Sequence, residues 1–181
     1  IAYVAVRRRN VLSATVDTMS MIPYIIPGSV IGIALLTTFA PKPFILTGTF
    51  AIMIIALVIR RLPYTIRSSV AILSQISVSV EEAAISLGAS KAKTFFKITV
   101  PMMSTGIISG AILSWITMIT ELSTAIILYS GRTQTLTVSI YTQVLRGNYG
   151  IAAALSTILS VLTIISLLIF MRISKDGNVT M

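Results

Sequence analysis

The sequence predicts an all-α fold, a polytopic bundle of apolar helices embedded in a membrane. Hydrophobic residues occupy 55% of the 181 positions and charged residues only 10%, whereas soluble domains carry about 25% charged residues. The mean hydropathy is +0.96. Apolar residues also fall into long runs, and the charged residues cluster between those runs. A soluble globular domain is therefore excluded.

Each long apolar run predicts one membrane crossing, because a crossing helix needs about 20 mostly apolar residues. Four spans are expected, at about 18–40, 44–62, 102–129 and 151–173. Pro23 and Pro27 are expected to break the first span near one end. Pro63 and Pro101 are expected to mark the starts of elements, because proline suits the first turn of a helix.

Basic residues assign a side of the membrane to each loop. If the chain crosses at the four spans, eleven of the fourteen cations fall on one side and three on the other. The first group is Arg7, Arg8, Arg9, Arg60, Arg61, Arg67, Lys91, Lys93, Lys97, Arg172 and Lys175, and the second is Lys42, Arg132 and Arg146. Cytoplasmic loops carry the excess of Lys and Arg, so both ends of the chain are expected in the cytoplasm. The net charge of +9 is explained in this way, without a nucleic-acid partner.

A polar segment at 79–101 interrupts the apolar sequence on the predicted cytoplasmic side. Ser79 and Glu82 have the spacing of a capping box, so a helix is expected to start near Val80. Gly88 is a poor helix former and is expected to end that helix or to allow a close approach. The following Lys and Phe residues alternate as in an amphipathic helix. From these residues alone, the segment is either a handle for another protein or an interfacial connector.

The spacing in this segment resembles a known motif. The stretch "EAAISLGASKAKTFFKITVP" matches the cytoplasmic EAA motif of permease subunits in binding-protein-dependent ABC importers, with Val100 where Leu is usual. The residues in register are Glu82, Ala83, Ala84, Gly88, Ile98 and Pro101. The stretches "RRLPYTIRSS" and "ELSTAIILYSGRTQTLTVSIYTQVLRGNYGIAAALSTIL" resemble the second half of fused permeases of the ferric-iron type.

The resemblance implies a type I ABC importer permease core with a cytoplasmic coupling helix, in a bacterial cytoplasmic (inner) membrane. All of 1–181 would then belong to one permease domain, as a C-terminal fragment lacking about two helices of its own half. Its implied partners are ABC ATPase subunits, an extracytoplasmic substrate-binding protein and a second permease half. The six motif residues would form the contact with the ATPase.

The chain is not expected to be an enzyme or to bind a cofactor. It has no G-x-x-x-x-G-K-[ST] loop to hold phosphates, so ATP and Mg²⁺ are expected on the partner ATPase. It has no Cys and no His, which removes thiolate chemistry, imidazole triads and the usual zinc ligands. No metal site is expected.

Glu121 is the one carboxylate inside an apolar run. A charge in a membrane helix usually faces a cavity or a partner, so either a role in the pathway or gate, or an ion pair with Arg132 or Arg146, is expected. The pathway role predicts that Glu121→Gln lowers transport without lowering assembly. The outer loop at 130–150 alternates apolar and polar residues and then changes to nearly helical spacing, which fits a short strand or an amphipathic helix.

Three other classes of function stay open on the residues. An ion-coupled secondary transporter needs ionisable residues near the bilayer midplane, and only Glu121 is available. An intramembrane enzyme needs an activated nucleophile, and a structural membrane subunit needs no partner ATPase. For cargo, the resemblance favours ferric iron, with thiamine, polyamines, phosphonates and inorganic anions as alternatives.

Overall fold

The computed structural model describes residues 1–8 and 10–177, with side chains to Arg172. All regular elements in that part of the chain are helical, and it contains no strand. The all-α fold class is therefore confirmed. Two of the cations assigned to the cytoplasmic side are not covered: Arg9 lies outside the described residues, and Lys175 lies beyond the last described side chain.

Three helices form the first part of the chain: α1 (Ala2–Arg7), α2 (Val11–Ile25) and α3 (Gly28–Thr38). Asn10 caps α2 by accepting a hydrogen bond from the Ser13 backbone N–H at 2.7 Å. Helices α2 and α3 meet at 100°, so the span expected at 18–40 is two helices. The break lies at Pro27, as expected, but Pro23 lies inside α2 without breaking it.

Helix α4 (Phe50–Gln75) corrects the second span. It runs unbroken through Pro63, so the expected span at 44–62 begins in a turn and stops halfway along a helix. Pro63 therefore marks no start. The hydropathy falls at Arg60 and Arg61 while the helix continues, because the rest of α4 packs along α8 (Ser104–Ile119). Arg60 and Arg61 are consequently mid-helix residues, not loop residues.

Close packing of α4 and α8 depends on two glycines of α8. A Cβ at Gly110 would lie 2.5 Å from Thr65 Cα, and one at Gly106 would lie 2.9 Å from the Ser68 carbonyl oxygen. Only a residue without a Cβ permits such an approach of two helices.

The polar segment forms α5 (Val78–Ser86), α6 (Lys91–Thr94), a π-helical turn (Phe95–Thr99) and α7 (Val100–Met102). Helix α5 starts two residues before the expected position. Ser77, and not Ser79, is its N-cap and accepts a hydrogen bond from Ser79 N–H. Pro101 lies at the start of α7, and the chain then bends by 60° into α8.

The last part contains α9 (Ala125–Leu128), α10 (Leu136–Leu145) and α11 (Tyr149–Gly177). The third span, expected at 102–129, does not run to Tyr129, because α8 ends at Ile119. The outer loop contains a helix, which settles the choice left open there. A buried apolar core joins α4, α9 and α10, formed by Ile52, Met53, Ala56, Ala125, Leu128 and Val138.

One described helix, Tyr149–Arg172, is long and apolar enough to cross a membrane, with a mean hydropathy of 2.4. Two bent pairs, α2 with α3 and the Lys91–Met102 region with α8, bring the number to three if each pair counts as one crossing. Helix α4 is not among them because of its charge. Every 18-residue stretch within it carries three charged side chains, those of Arg60, Arg61 and Arg67, whereas each of the counted crossings contains a stretch with two or fewer.

Candidate functional site

The polar segment is a helix that ends in a glycine turn. At the end of α5, Gly88 N–H donates to the Ile85 carbonyl at 2.9 Å and Ala89 N–H donates to the Ala84 carbonyl at 3.0 Å. This is a Schellman motif, whose residue after the helix adopts the left-handed conformation. Gly88 has φ = +89°, a value that glycine adopts without strain. The sequence therefore identified the residue that ends α5.

The motif residues divide between the two sides of this element. Glu82, Ala83 and Gly88 are exposed, whereas Ala84 is buried against the rest of the chain. Beyond the turn, Ile98 is half-buried in the π-helical turn and Pro101 is exposed. The structure thus places Glu82, Ala83 and Gly88 on one outward-facing element, with Ile98 and Pro101 on the arm that returns to α8.

Leu87 is a further residue of this surface that the motif does not contain. Its exposed fraction is 89%, the highest among the large hydrophobic residues that the structure describes. No atom would lie within 4 Å of a Cβ at the adjacent Gly88. Ile85 in the last turn of α5 is also 41% exposed, so this end of the helix presents two apolar side chains that the rest of the chain does not cover. In the sequence, Leu87 could have been identified by its position directly before Gly88, the residue that ends α5.

Behind this surface, Glu81 anchors α5 to the start of the chain. Its carboxylate accepts hydrogen bonds from Arg7 Nε at 2.9 Å and from the Tyr3 hydroxyl at 2.8 Å. Arg7 Nη2 also donates to the Ile76 carbonyl at 2.9 Å, and the Tyr3 ring packs edge-on against Phe95. We call Tyr3, Arg7 and Glu81 the anchor.

The anchor is mostly shielded from water, with Arg7 and Glu81 side chains exposed by 10% and 9%. Burial raises the pKa of Tyr3 above its ordinary value, and the hydrogen bond to Glu81 adds to the effect. The Tyr3 hydroxyl thus remains a protonated donor. Glu81 and Glu82 look alike in the sequence, since both fall in the first turn of the helix predicted to start near Val80, whereas only Glu81 lies in the first turn of α5. Only the structure separates the anchoring carboxylate from the exposed one.

Glu121 pairs with Arg60 and Arg61, which corrects the expected ion pair with Arg132 or Arg146. The distances are 2.5 Å from Arg60 Nη1 to Oε1 and 2.8 Å from Arg61 Nη2 to Oε2. Arg132 and Arg146 are exposed. Glu121 lies in the turn between α8 and α9, where its carboxylate meets the two arginines of α4 and not those of the outer loop.

The Glu121 turn is held by further hydrogen bonds. Thr124 N–H donates to Glu121 Oε1 at 2.8 Å, Arg61 Nη2 donates to the Thr117 carbonyl at 2.8 Å, and the Thr137 hydroxyl donates to the Glu121 carbonyl at 2.8 Å. Glu121 is 8% exposed. These bonds tie the middle of α4 to the turn between α8 and α9 and to α10. The cluster is a structural tie between elements far apart in sequence.

Comparison with known proteins assigns the chain to a family. Residues 1–176 match the family model described as "Binding-protein-dependent transport system inner membrane component". The ferric transport system permease protein FbpB of Actinobacillus pleuropneumoniae is 32% identical over 179 residues, which cover 99% of this chain and 26% of that protein. The probable transport system permease protein NifC of Clostridium pasteurianum is 32% identical, with 94% and 64% covered. The chain therefore spans only part of these relatives.

Solved structures share the fold. A chain of a bacterial alginate ABC transporter, in complex with a periplasmic protein bound to an alginate pentasaccharide, superimposes with a TM-score of 0.78 and 17% identity, covering 97% of this chain and 70% of that one. A chain of the MetNI methionine ABC transporter gives a TM-score of 0.78 and 18% identity, with 97% and 82% covered. At this identity the likeness concerns the fold alone.

These matches decide between the classes of function left open above. The family consists of transport components, and the relatives are named as permease proteins, not as enzymes. The expected resemblance to importer permeases is confirmed. The chain belongs to the family of inner membrane components of binding-protein-dependent transport systems, the permeases of ABC importers.

Proposed function

We propose that the chain forms part of the substrate passage of an ABC importer and takes up force from a separate ATPase through α5. The observation that carries the proposal is the shape of the polar segment. Its outer surface, with Glu82, Ala83, Leu87 and Gly88, is exposed, while the anchor bonds the inner side of the same helix to α1. A helix that is exposed on one side and firmly bonded on the other is suited to transmit movement.

Each surface residue has a role in this proposal. Leu87 enters an apolar recess of the ATPase, Ala83 allows close contact, and Glu82 pairs with a polar or cationic group. Gly88 turns the chain back toward the membrane. ATP and Mg²⁺ bind to the ATPase subunit. Movement of α5 biases the permease between two states only if the ATPase binds those states with different affinity.

The remaining partners follow from the family. A second permease half completes the passage, and an extracytoplasmic binding protein delivers the cargo. Exposed apolar residues along α11, among them Ile158, Val161, Ile165 and Leu168, supply surface for lipid or for the second half. We place the EAA segment and both ends of the chain in the cytoplasm, which requires α4 to cross the membrane as a fourth span. The cations outside α4 accord with this placement, since Arg7, Arg8, Lys91, Lys93, Lys97 and Arg172 then lie on the cytoplasmic side.

Ferric iron is the proposed cargo, since a relative that matches 99% of this chain is named a ferric transport permease. Two alternatives also have named relatives. A molybdate/tungstate permease protein of Pyrococcus abyssi is 33% identical over 150 residues. A putative 2-aminoethylphosphonate permease protein of Salmonella paratyphi A is 29% identical over 154 residues.

A cross-linking experiment tests the coupling surface. The chain has no cysteine, so a single thiol is placed by Ser86→Cys in the full-length permease, and a second along the cleft of the co-encoded ATPase. A disulfide whose yield changes with ATP is expected under mild oxidation. Gln75→Cys is the matched control, because Gln75 is also exposed but precedes α5. No disulfide from Ser86→Cys at any cleft position, or equal yield from Gln75→Cys, contradicts the proposal.

A further inference from the structure

The outward side of α4 and α8 carries the Arg61 and Arg67 side chains among apolar residues such as Leu62 and Leu113, whereas the outward sides of α3 and α11 are mainly apolar. Two neighbouring grooves lie there. One, of about 320 Å³, is lined by Tyr24, Tyr64, Arg67 and Ser68 among others. The other, of about 170 Å³, is lined by Arg61, Thr65 and Ser114 among others. We call them the α4 grooves.

The α4 grooves adjoin one another, since the Arg61 guanidinium lies 5.9 Å from the centre of the Tyr64 ring. Both grooves thus belong to one strip, in which the Arg61 and Arg67 guanidinium groups and a few hydroxyls lie among mainly apolar residues. Polar and charged groups within a membrane-embedded bundle face a cavity or a protein partner and avoid lipid. Arg67, whose side chain is 45% exposed, therefore indicates that this strip faces a cavity or a partner and not lipid.

Positive charge exceeds negative charge along this strip. Arg60 and Arg61 share the single carboxylate of Glu121, and Arg67 pairs with Asp17 at 3.0 Å. Three guanidinium groups therefore face two carboxylates. The Nε atoms of Arg60 and Arg61 are buried and have no hydrogen-bond partner within the described part of the chain. The two Nε atoms are shielded from a passing cargo, so it is the one unmatched positive charge that acts on the grooves.

The carboxylates near the grooves are already occupied. Both oxygens of Glu121 accept from arginine. Asp17 Oδ1 is free of hydrogen bonds within the described residues, but Asp17 lines a separate pocket beside α1 and α2. The described residues also contain no group of three acidic, His or Cys side chains that could hold a metal ion. A bare ferric ion, a hard cation that requires anionic oxygen ligands, finds repulsion here and no ligand set.

We propose that the cargo passes the α4 grooves as an anion, either an oxyanion or a ferric ion enclosed in an anionic ligand shell. Guanidinium N–H groups pair with oxyanions in a bidentate manner, and the hydroxyls of Thr65 and Ser68 supply further donors. The proposal rests on the proposed function, because it requires this chain to line the passage. It limits the cargo to molecules that carry a negative charge when they pass this chain.

Charge-selective labelling tests the sign of the potential in the groove. A thiol is introduced by Ser114→Cys in the full-length permease assembled with its partners, after any cysteine elsewhere is replaced. Its reaction rates with an anionic and a cationic methanethiosulfonate are each divided by the rate with a free thiol in solution. An anionic preference of about five- to tenfold is expected for one unmatched charge at close range. Ser86→Cys in the coupling segment is the water-exposed control and is expected to show less preference.

Two variants show whether the arginines cause the preference. Arg61→Gln is expected to reduce it severalfold. Arg67→Gln is expected to reduce it as well, and this variant is the safer one for folding because the Arg67 side chain is 45% exposed. A preference for the cationic reagent overturns the proposal. So does an anionic preference that neither substitution changes.

Protection by cargo distinguishes the two anionic sources. Molybdate and ferric citrate are each supplied with the binding protein and ATP while Ser114→Cys is labelled. Slower labelling with molybdate supports an oxyanion, and slower labelling with ferric citrate supports an anionic ferric complex. Protection by neither overturns the proposal. The Ser86→Cys cross-link to the ATPase tests the coupling function separately. If the cross-link forms but the labelling results contradict an anionic cargo, only the inference about the cargo fails.

Discussion

Replacing Glu121 by Gln removes the only carboxylate that the structure gives to Arg60 and Arg61. Their side chains are 14% and 11% exposed, so both guanidinium groups stay largely shielded from water without a counter-charge. Removal of one partner from a buried ion pair costs about 3–5 kcal/mol. For a chain of this size, such a loss lowers the melting temperature by roughly 6–20 °C. We therefore expect Glu121→Gln to impair assembly, contrary to the expectation from the sequence.

The charge ratio of the cluster makes a sharper prediction. Arg61→Gln leaves Arg60 and Glu121 as a neutral one-to-one pair, so it is expected to destabilise the protein less than Glu121→Gln does. Glu82→Gln, the same chemical change at an exposed carboxylate, is expected to cost less than about 0.5 kcal/mol. The measurement is the melting temperature of the purified full-length permease in detergent. If Arg61→Gln lowers the melting temperature as much as Glu121→Gln does, unmatched positive charge is not the cause of the instability.

Three further predictions concern the coupling segment and the helix packing. Glu81→Gln weakens hydrogen bonds to a charged group and is expected to destabilise α5 by about 1.5–3 kcal/mol, visible as faster amide hydrogen exchange in α5; unchanged exchange argues against the anchor. Leu87→Ser is expected to weaken co-purification of the ATPase while leaving the melting temperature of the permease unchanged, since Leu87 is 89% exposed. Gly110→Ala places a Cβ 2.5 Å from the α4 backbone and is expected to cost about 1–3 kcal/mol by overpacking. Gly131→Ala, with open space around the added atom, is the control, and an equal loss in both variants contradicts the packing argument.

The sequence by itself determined the properties that depend on composition and on residues close together in the chain. The proportion of apolar residues determines that the chain is membrane-embedded, because few charged groups remain to cover a soluble surface. The position of Gly88 determines where α5 ends, because its φ of +89° is a local property of the backbone. The EAA spacing identified the family for the same reason, since it is read along one short segment. Proline alone did not determine the break at Pro27, because Pro23 and Pro63 also lack an N–H donor and lie inside α2 and α4.

Only the tertiary structure decided the features that depend on contacts between distant residues. Arg60 and Glu121 are 61 positions apart, and Arg7 and Glu81 are 74 apart. Hydropathy placed the two arginines in a loop, because a charge ends an apolar run whether or not it has a partner. The structure keeps them inside a continuous α4, since the carboxylate that offsets half of their charge comes from the turn after α8. It likewise distinguishes Glu81 from Glu82, because only one of these adjacent carboxylates meets Arg7 in space.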